Sequence, residues 1–182
     1  MKNGINGSSK LKRFYDLAGF SNKCNYNFQH EKNVQWLTIY TNIELDIVIG
    51  ISQMGEWICK DSKGFYELKN NRMYLYCVKL LEIPFDKVRK EIEDRFMYLS
   101  EYKEISLLEI FPYFDIVEFA FKNMISNYWF TLAWEWYKEL PLDEHYKLIS
   151  ALDSISNIMK ISQGNRQIAK AEVRKLEKNF NF

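Results

Sequence analysis

Thr41-Asn42-Ile43-Glu44-Leu45-Asp46-Ile47-Val48-Ile49-Gly50-Ile51-Ser52-Gln53 is the stretch on which the fold turns. Read from its start, Thr41 to Glu44 is a capping box. A threonine hydroxyl can accept the N–H three residues on, and the glutamate can return to the threonine N–H. That reading predicts a helix over 42–53, stopped by Gly55. Read by alternation, Ile43, Leu45, Ile47 and Ile49 recur every second residue, and β-branched residues suit a pleated surface. The cap favours the helix, and the alternation keeps a strand open over 34–60.

Outward from this stretch the patterning is helical. Met73, Tyr74, Cys77, Val78 and Leu81 form a stripe over 70–81. Pro84 interrupts, and Phe85, Val88, Ile92, Phe96 and Leu99 make an amphipathic helix over 85–100. Ser106 can cap a short helix over 107–111. Pro112 suits the first turn of a helix over 112–123. Helices follow over 128–139, started by Ser126 or Asn127 and ended by Pro141, over 143–157, with Tyr146, Ile149, Leu152 and Ile155 inward, and over 163–179, capped by Ser162. A short helix over 12–20 precedes them all, and residues 1–10 read as loose. With only 7 Gly and 3 Pro in 182 residues, turn residues are too few for a typical sandwich or barrel. The expectation is one all-α domain over 1–182. Its helices would form a stack of antiparallel hairpins or an irregular bundle.

Charge is distributed unevenly. Residues 1–32 carry six Lys/Arg against two Asp/Glu, residues 33–160 fourteen against twenty, and residues 161–182 five against two. Two basic ends flank an acidic middle, read either as solvated helix faces or as a field for a basic partner, and nucleic acid is not the expected partner. Cys24, Cys59 and Cys77 are odd in number and widely spaced, which points to reduced cysteines and a cytoplasmic setting. No secretory h-region or run of about 18 apolar residues occurs, so no membrane span is expected.

Catalytic signatures are missing. There is no phosphate-binding glycine loop, no H-E-x-x-H and no G-x-S-x-G. His30 and His145 lack a second ligand at metal spacing, and His145 reads as a plain surface histidine. Catalytic residues, metal ligands and cofactors are all expected to be none. The densest feature is Tyr128-Trp129-Phe130-Thr131-Leu132-Ala133-Trp134-Glu135-Trp136-Tyr137. Trp129, Leu132, Ala133 and Trp136 make one face, read as core. Phe130, Trp134 and Tyr137 make another, which either packs on a second layer or serves as a binding anchor. Arg166, Lys170 and Arg174 at four-residue steps are a solvated face or a phosphate-contacting stripe.

From Asn71 onward the chain resembles bacterial immunity proteins, the small antidotes to polymorphic or contact-dependent toxins. The likeness rests on Met73-Tyr74-Leu75-Tyr76-Cys77-Val78 and Ile110-Phe111-Pro112-Tyr113-Phe114-Asp115-Ile116-Val117. Tyr128-Trp129, Leu132-Ala133-Trp134-Glu135-Trp136 and Ile161-Ser162-Gln163-Gly164-Asn165-Arg166-Gln167-Ile168-Ala169 complete it. It implies stoichiometric binding to a toxin domain, such as a nuclease, by occlusion of its active site. No contact residues transfer by motif. The physical candidates are Glu109, Asp115 and Glu118 around Pro112, Glu135 and Glu139 beside the aromatic helix, and Tyr113, Trp134 and Tyr137 as anchors. The alternative is a helical-repeat adaptor for a peptide or protein. An RNA-binding helical protein and an enzyme built around His30 or His145 are further, weaker readings.

Overall fold

The computed structural model describes residues 10–17, 28–31, 33–96 and 110–180. The all-α expectation is overturned: five strands form one antiparallel sheet, and the protein is a mixture of sheet and helix. The strands are β1 (Phe28–Glu31), β2 (Val34–Asn42), β3 (Ile47–Ser52), β4 (Trp57–Asp61) and β5 (Gly64–Glu67), paired in sequence order as a meander. The helices are α1 (10–17), α2 (Phe85–Phe96), α3 (Tyr113–Asn123), α4 (Asn127–Tyr137), α5 (Leu142–Lys147), α6 (Ile149–Ser156) and α7 (Gln163–Phe180). Two compact units result. The first comprises residues 1–77 and 86–111, and the second residues 78–85 and 112–182.

The helix expected over 42–53 is a β-hairpin. The local signal was real but served a turn. Asn42 Oδ1 accepts the Leu45 N–H at 2.9 Å, the Asp46 N–H donates to Ile43 O at 3.1 Å, and Asp46 takes φ of 49°. A left-handed residue ends the turn after one cycle, so no helix propagates. Asp46 also accepts the Ser62 N–H at 3.1 and 3.0 Å, which ties this turn to the β4–β5 turn. Ile43 sits at the tip, 89% exposed. The alternation belongs to Ile47, Ile49 and Ile51, which share a face with Leu37, Tyr40, Cys59 and Trp57 by register. Gly55, with φ of 76°, turns the chain from β3 to β4 rather than stopping a helix.

Both sheet faces carry buried residues. Trp36, Ile58 and Phe65 cluster on the face opposite the three isoleucines, with Val34 and Val48 against them. A register shift between Thr38 and Tyr40 inserts Ile39 as a bulge. That irregularity puts five consecutive buried residues, Trp36 to Tyr40, in one strand. In the same unit α2 buries Val88 and Ile92, and Trp57 Nε1 donates to Ile110 O at 3.2 Å.

The stripe over 70–81 is not α-helical either. It forms two 3₁₀ segments, Asn71–Tyr76 and Val78–Glu82. Tyr74, Cys77 and Leu80 are all buried, and their strict three-residue spacing matches three residues per turn. The helix expected over 143–157 breaks at Leu148 into α5 and α6. Its inward residues also recur every three positions. On a continuous α-helix each such step would rotate off the face by roughly 60°.

The second unit is helical. Its core contains Ile116, Val117, Ala120, Phe130, Ala133, Trp136, Leu148, Leu152, Ile155, Ala169, Val173 and Leu176. Ser126 caps α4 by accepting the Trp129 N–H, and Asn127 Oδ1 accepts the Ser162 N–H at 2.7 Å. Helix α4 is thereby joined to the start of α7. Among the described residues no helix is long and apolar enough to cross a membrane. The loose segment expected over 1–10 lies outside the described residues except for Lys10, and most of the 107–111 helix also lies outside them.

Candidate partner-binding surface

The aromatic helix α4 holds the second unit together. Phe130, Ala133, Trp136 and Tyr137 are its buried residues. This core stripe crosses both faces read from the sequence: Trp129 and Leu132 are only partly covered, whereas Phe130 and Tyr137 lie inside. Trp136 is edge-on to Phe85 and Tyr113, and its indole N–H donates to Ile83 O at 2.9 Å. Phe130, Trp134 and Tyr137 stack in series, and the His145 ring lies 4.1 Å from Tyr137. His145 Nε2 is 2.8 Å from Tyr137 O, so this histidine is a built-in packing partner rather than a plain surface group. The Tyr137 hydroxyl donates to Glu172 at 3.1 Å. Burial, then the charge of Glu172, holds its pKa far above the usual tyrosine range.

The candidate contact residues separate into classes. Tyr113 and Tyr137 are interior and brace Trp136 and His145. Trp134 is half-buried, the outer member of the stack. Glu118 pairs with Lys122 and Glu135 with Lys138, each at 2.7 Å. Glu139 is exposed, Asp115 is half-buried, and Glu109 lies outside the described residues.

The structure adds two residues to Asp115. Asp143 and Glu144 lie in the first turn of α5, where Asp143 and Asp115 are both near enough to act on the Glu144 carboxyl. Burial first, and then Asp143 and Asp115, push its pKa above the ordinary range against the opposing pull of Lys147. Lys147 reaches Asp143 at 3.4 Å and lies 5.7 Å over the Phe114 ring. The adjacency of Asp143 and Glu144 was visible in the sequence, but their approach to Asp115 needs the packing of the second unit. Among the described residues no group of three His, Cys, Asp or Glu side chains is placed to hold a metal ion.

No family model, curated protein or solved structure matches this chain. The immunity-protein likeness therefore rests on the residues quoted for it. On the first unit, Val34, Phe65, Tyr66, Asn70 and Met73 line an open groove of about 370 Å³, with Glu67 and Lys69 ion-paired beside them. Cys59 and Cys77 are buried thiols.

The raised Glu144 pKa has a definite sign. An acid that holds its proton more tightly folded than unfolded loses stability as pH rises through the two pKa values. Glu144→Gln is therefore expected to raise stability at pH 7 by a few tenths of a kcal/mol, screening by solvent having reduced the effect. The gain should disappear at about pH 3, below the unfolded glutamate pKa, where both states are protonated. Urea unfolding at the two pH values measures it. A variant less stable than the parent at pH 7 would show that the Lys147 attraction dominates.

Proposed function

We propose that the chain is a non-catalytic cytoplasmic protein that binds a basic protein partner one-to-one. In the form the resemblance implies, the partner is a toxin domain, such as a nuclease, and binding blocks its active site. The observation that carries this reading is the approach of Asp115 and Asp143 to the partly buried Glu144 carboxyl, with Lys147 paired to Asp143 beside them. Carboxylates held close together at a cost to one of them are relieved when a partner's cations arrive. Such charge complementarity speeds encounter and selects the partner. Binding would lower the Glu144 pKa, so the complex should tighten as pH rises through that titration.

The test is co-expression with the C-terminal domain encoded by the adjacent upstream reading frame. Expected results are growth arrest by that domain alone, rescue by this protein, and co-purification. Asp115→Asn/Asp143→Asn/Glu144→Gln should weaken the purified complex by about 100-fold, from loss of close charge pairs. Absence of toxicity and of a complex removes the reading. A complex indifferent to the triple substitution moves the contact elsewhere. The groove on the first unit favours a second reading, an adaptor that takes a peptide with an apolar side chain between Phe65 and Met73.

A further inference from the structure

Arg166, Lys170, Arg174 and Lys178 recur at every fourth position of α7. A rise of 1.5 Å per residue sets successive charges about 6 Å apart in a row of about 18 Å, turning about 40° per step. Among the described residues none of the four enters an ion pair. Lys175 on the same helix is instead held by Glu172 at 3.1 Å. Lys170, Arg174 and Lys178 are exposed. Arg166 is partly covered and fixed: one guanidinium N–H donates to the Met159 sulfur at 3.3 Å, while its enclosed Nε has no acceptor among the described residues. A thioether is a weak acceptor and carries no charge, so this cation is positioned without being neutralised. The first turn of α7 has no acidic residue, and of the two acids within the helix Glu172 is partly covered and Glu177 exposed.

We propose that this face of α7 binds the sugar–phosphate backbone of single-stranded nucleic acid, independently of base sequence. A single row of unpaired cations at near-phosphate spacing matches a linear polyanion. An acidic protein surface fits less well. Protein-interface hot spots are rich in Trp and Tyr as well as Arg, and α7 has no aromatic residue before its terminal Phe180, which leaves the arginines without such anchors along the row. With no aromatic between Gln163 and Asn179, the row offers no stacking platform, and phosphate contacts are the source of affinity. The acidic middle of the chain does not oppose this, because screening confines each charged face to roughly a Debye length. The near-neutral total averages segments of opposite charge.

The test is fluorescence anisotropy of the full chain with labelled dT₂₀ and dA₂₀ at 50 and 200 mM salt. Four phosphate contacts on a single strand predict an affinity loss of about 50-fold over that range, with similar affinities for the two sequences. Lys170→Gln/Arg174→Gln/Lys178→Gln alters only exposed side chains and should lower the salt slope by about 2. Lys63→Gln/Lys87→Gln/Lys90→Gln removes the same net charge from the first unit and should leave binding unchanged. Circular dichroism verifies folding of both. No binding at 50 mM salt overturns the proposal, as does equal loss in the two triple variants. Tighter binding of polyglutamate than of either oligonucleotide also overturns it and assigns the stripe to an acidic protein.

Discussion

Trp136→Ala should unfold the second unit or leave it barely stable. The side chain is 1% exposed, and it touches Phe85 and Tyr113 edge-on. Truncating a buried tryptophan costs about 3–5 kcal/mol from lost burial and the residual cavity. Its N–H also serves Ile83 O, which would be left without that donor, at a further cost of about 1–3 kcal/mol. The total rivals the whole stability of an ordinary domain, about 5–15 kcal/mol. Urea unfolding followed by near-ultraviolet circular dichroism would register it. Trp136→Phe keeps a ring in place but loses the hydrogen bond, so it should fall between parent and alanine variant. An alanine variant within about 1 kcal/mol of the parent would mean that the site collapses freely, contrary to a close-packed interior.

Gly50→Val should be the most damaging single change in the first unit. A Cβ at Gly50 would lie 2.2 Å from Trp36 Cε3 and 2.5 Å from the Leu37 carbonyl oxygen. The first contact involves a fully buried indole already edge-on to Phe65 at 5.9 Å, and the second involves backbone in the middle of the sheet. Overpacking of this kind costs about 1–3 kcal/mol even when side chains can adjust. Here the carbonyl cannot move without breaking the β2–β3 ladder, so a loss above about 3 kcal/mol is expected. Gly50→Ala in a Trp36→Ala background separates the two contacts. The double variant should recover the part due to the indole, seen as a coupling of about 1 kcal/mol or more. The carbonyl contact would persist. An unchanged urea midpoint for Gly50→Ala alone would contradict the close approach.

Gly50 also shows why the fold was hard to read. In the sequence it is one glycine in an isoleucine-rich run, equally compatible with a helix interior or a strand. Its meaning lies in Trp36, fourteen positions earlier, whose indole lies over it across the β2–β3 pair. The Thr41–Glu44 pattern misled for a related reason. A side chain accepting an N–H three residues on starts either a helix or a turn, and the continuation chooses between them. At Asp46 a left-handed backbone, held by the Ser62 N–H, chose the turn.

The candidate surface was legible only in part. Asp115 is one of the contact candidates, and Asp143 and Glu144 are adjacent in the sequence. Their approach to one another depends on the tertiary arrangement of the second unit. Tyr113 and Tyr137 fitted the composition of interface anchors, but the same large, amphipathic rings also fill cores when their hydroxyls find partners. Tyr137 does so through Glu172, thirty-five residues away.

By itself the sequence determined what local physics can determine. Ser126 and Ser162 set the starts of α4 and α7, Pro141 closed off α4, and the four-residue cation spacing of α7 follows directly from its letters. Tertiary structure decided what depends on distant partners. It made residues 34–67 a sheet with buried residues on both faces, put Phe130 and Tyr137 inside with Trp129 only partly covered, and brought Asp115 within reach of Glu144. The physical reason is one of range. Caps, breakers and helical spacing are fixed by neighbours within about four residues. Strand pairing and burial are settled only by whatever the rest of the chain brings against them.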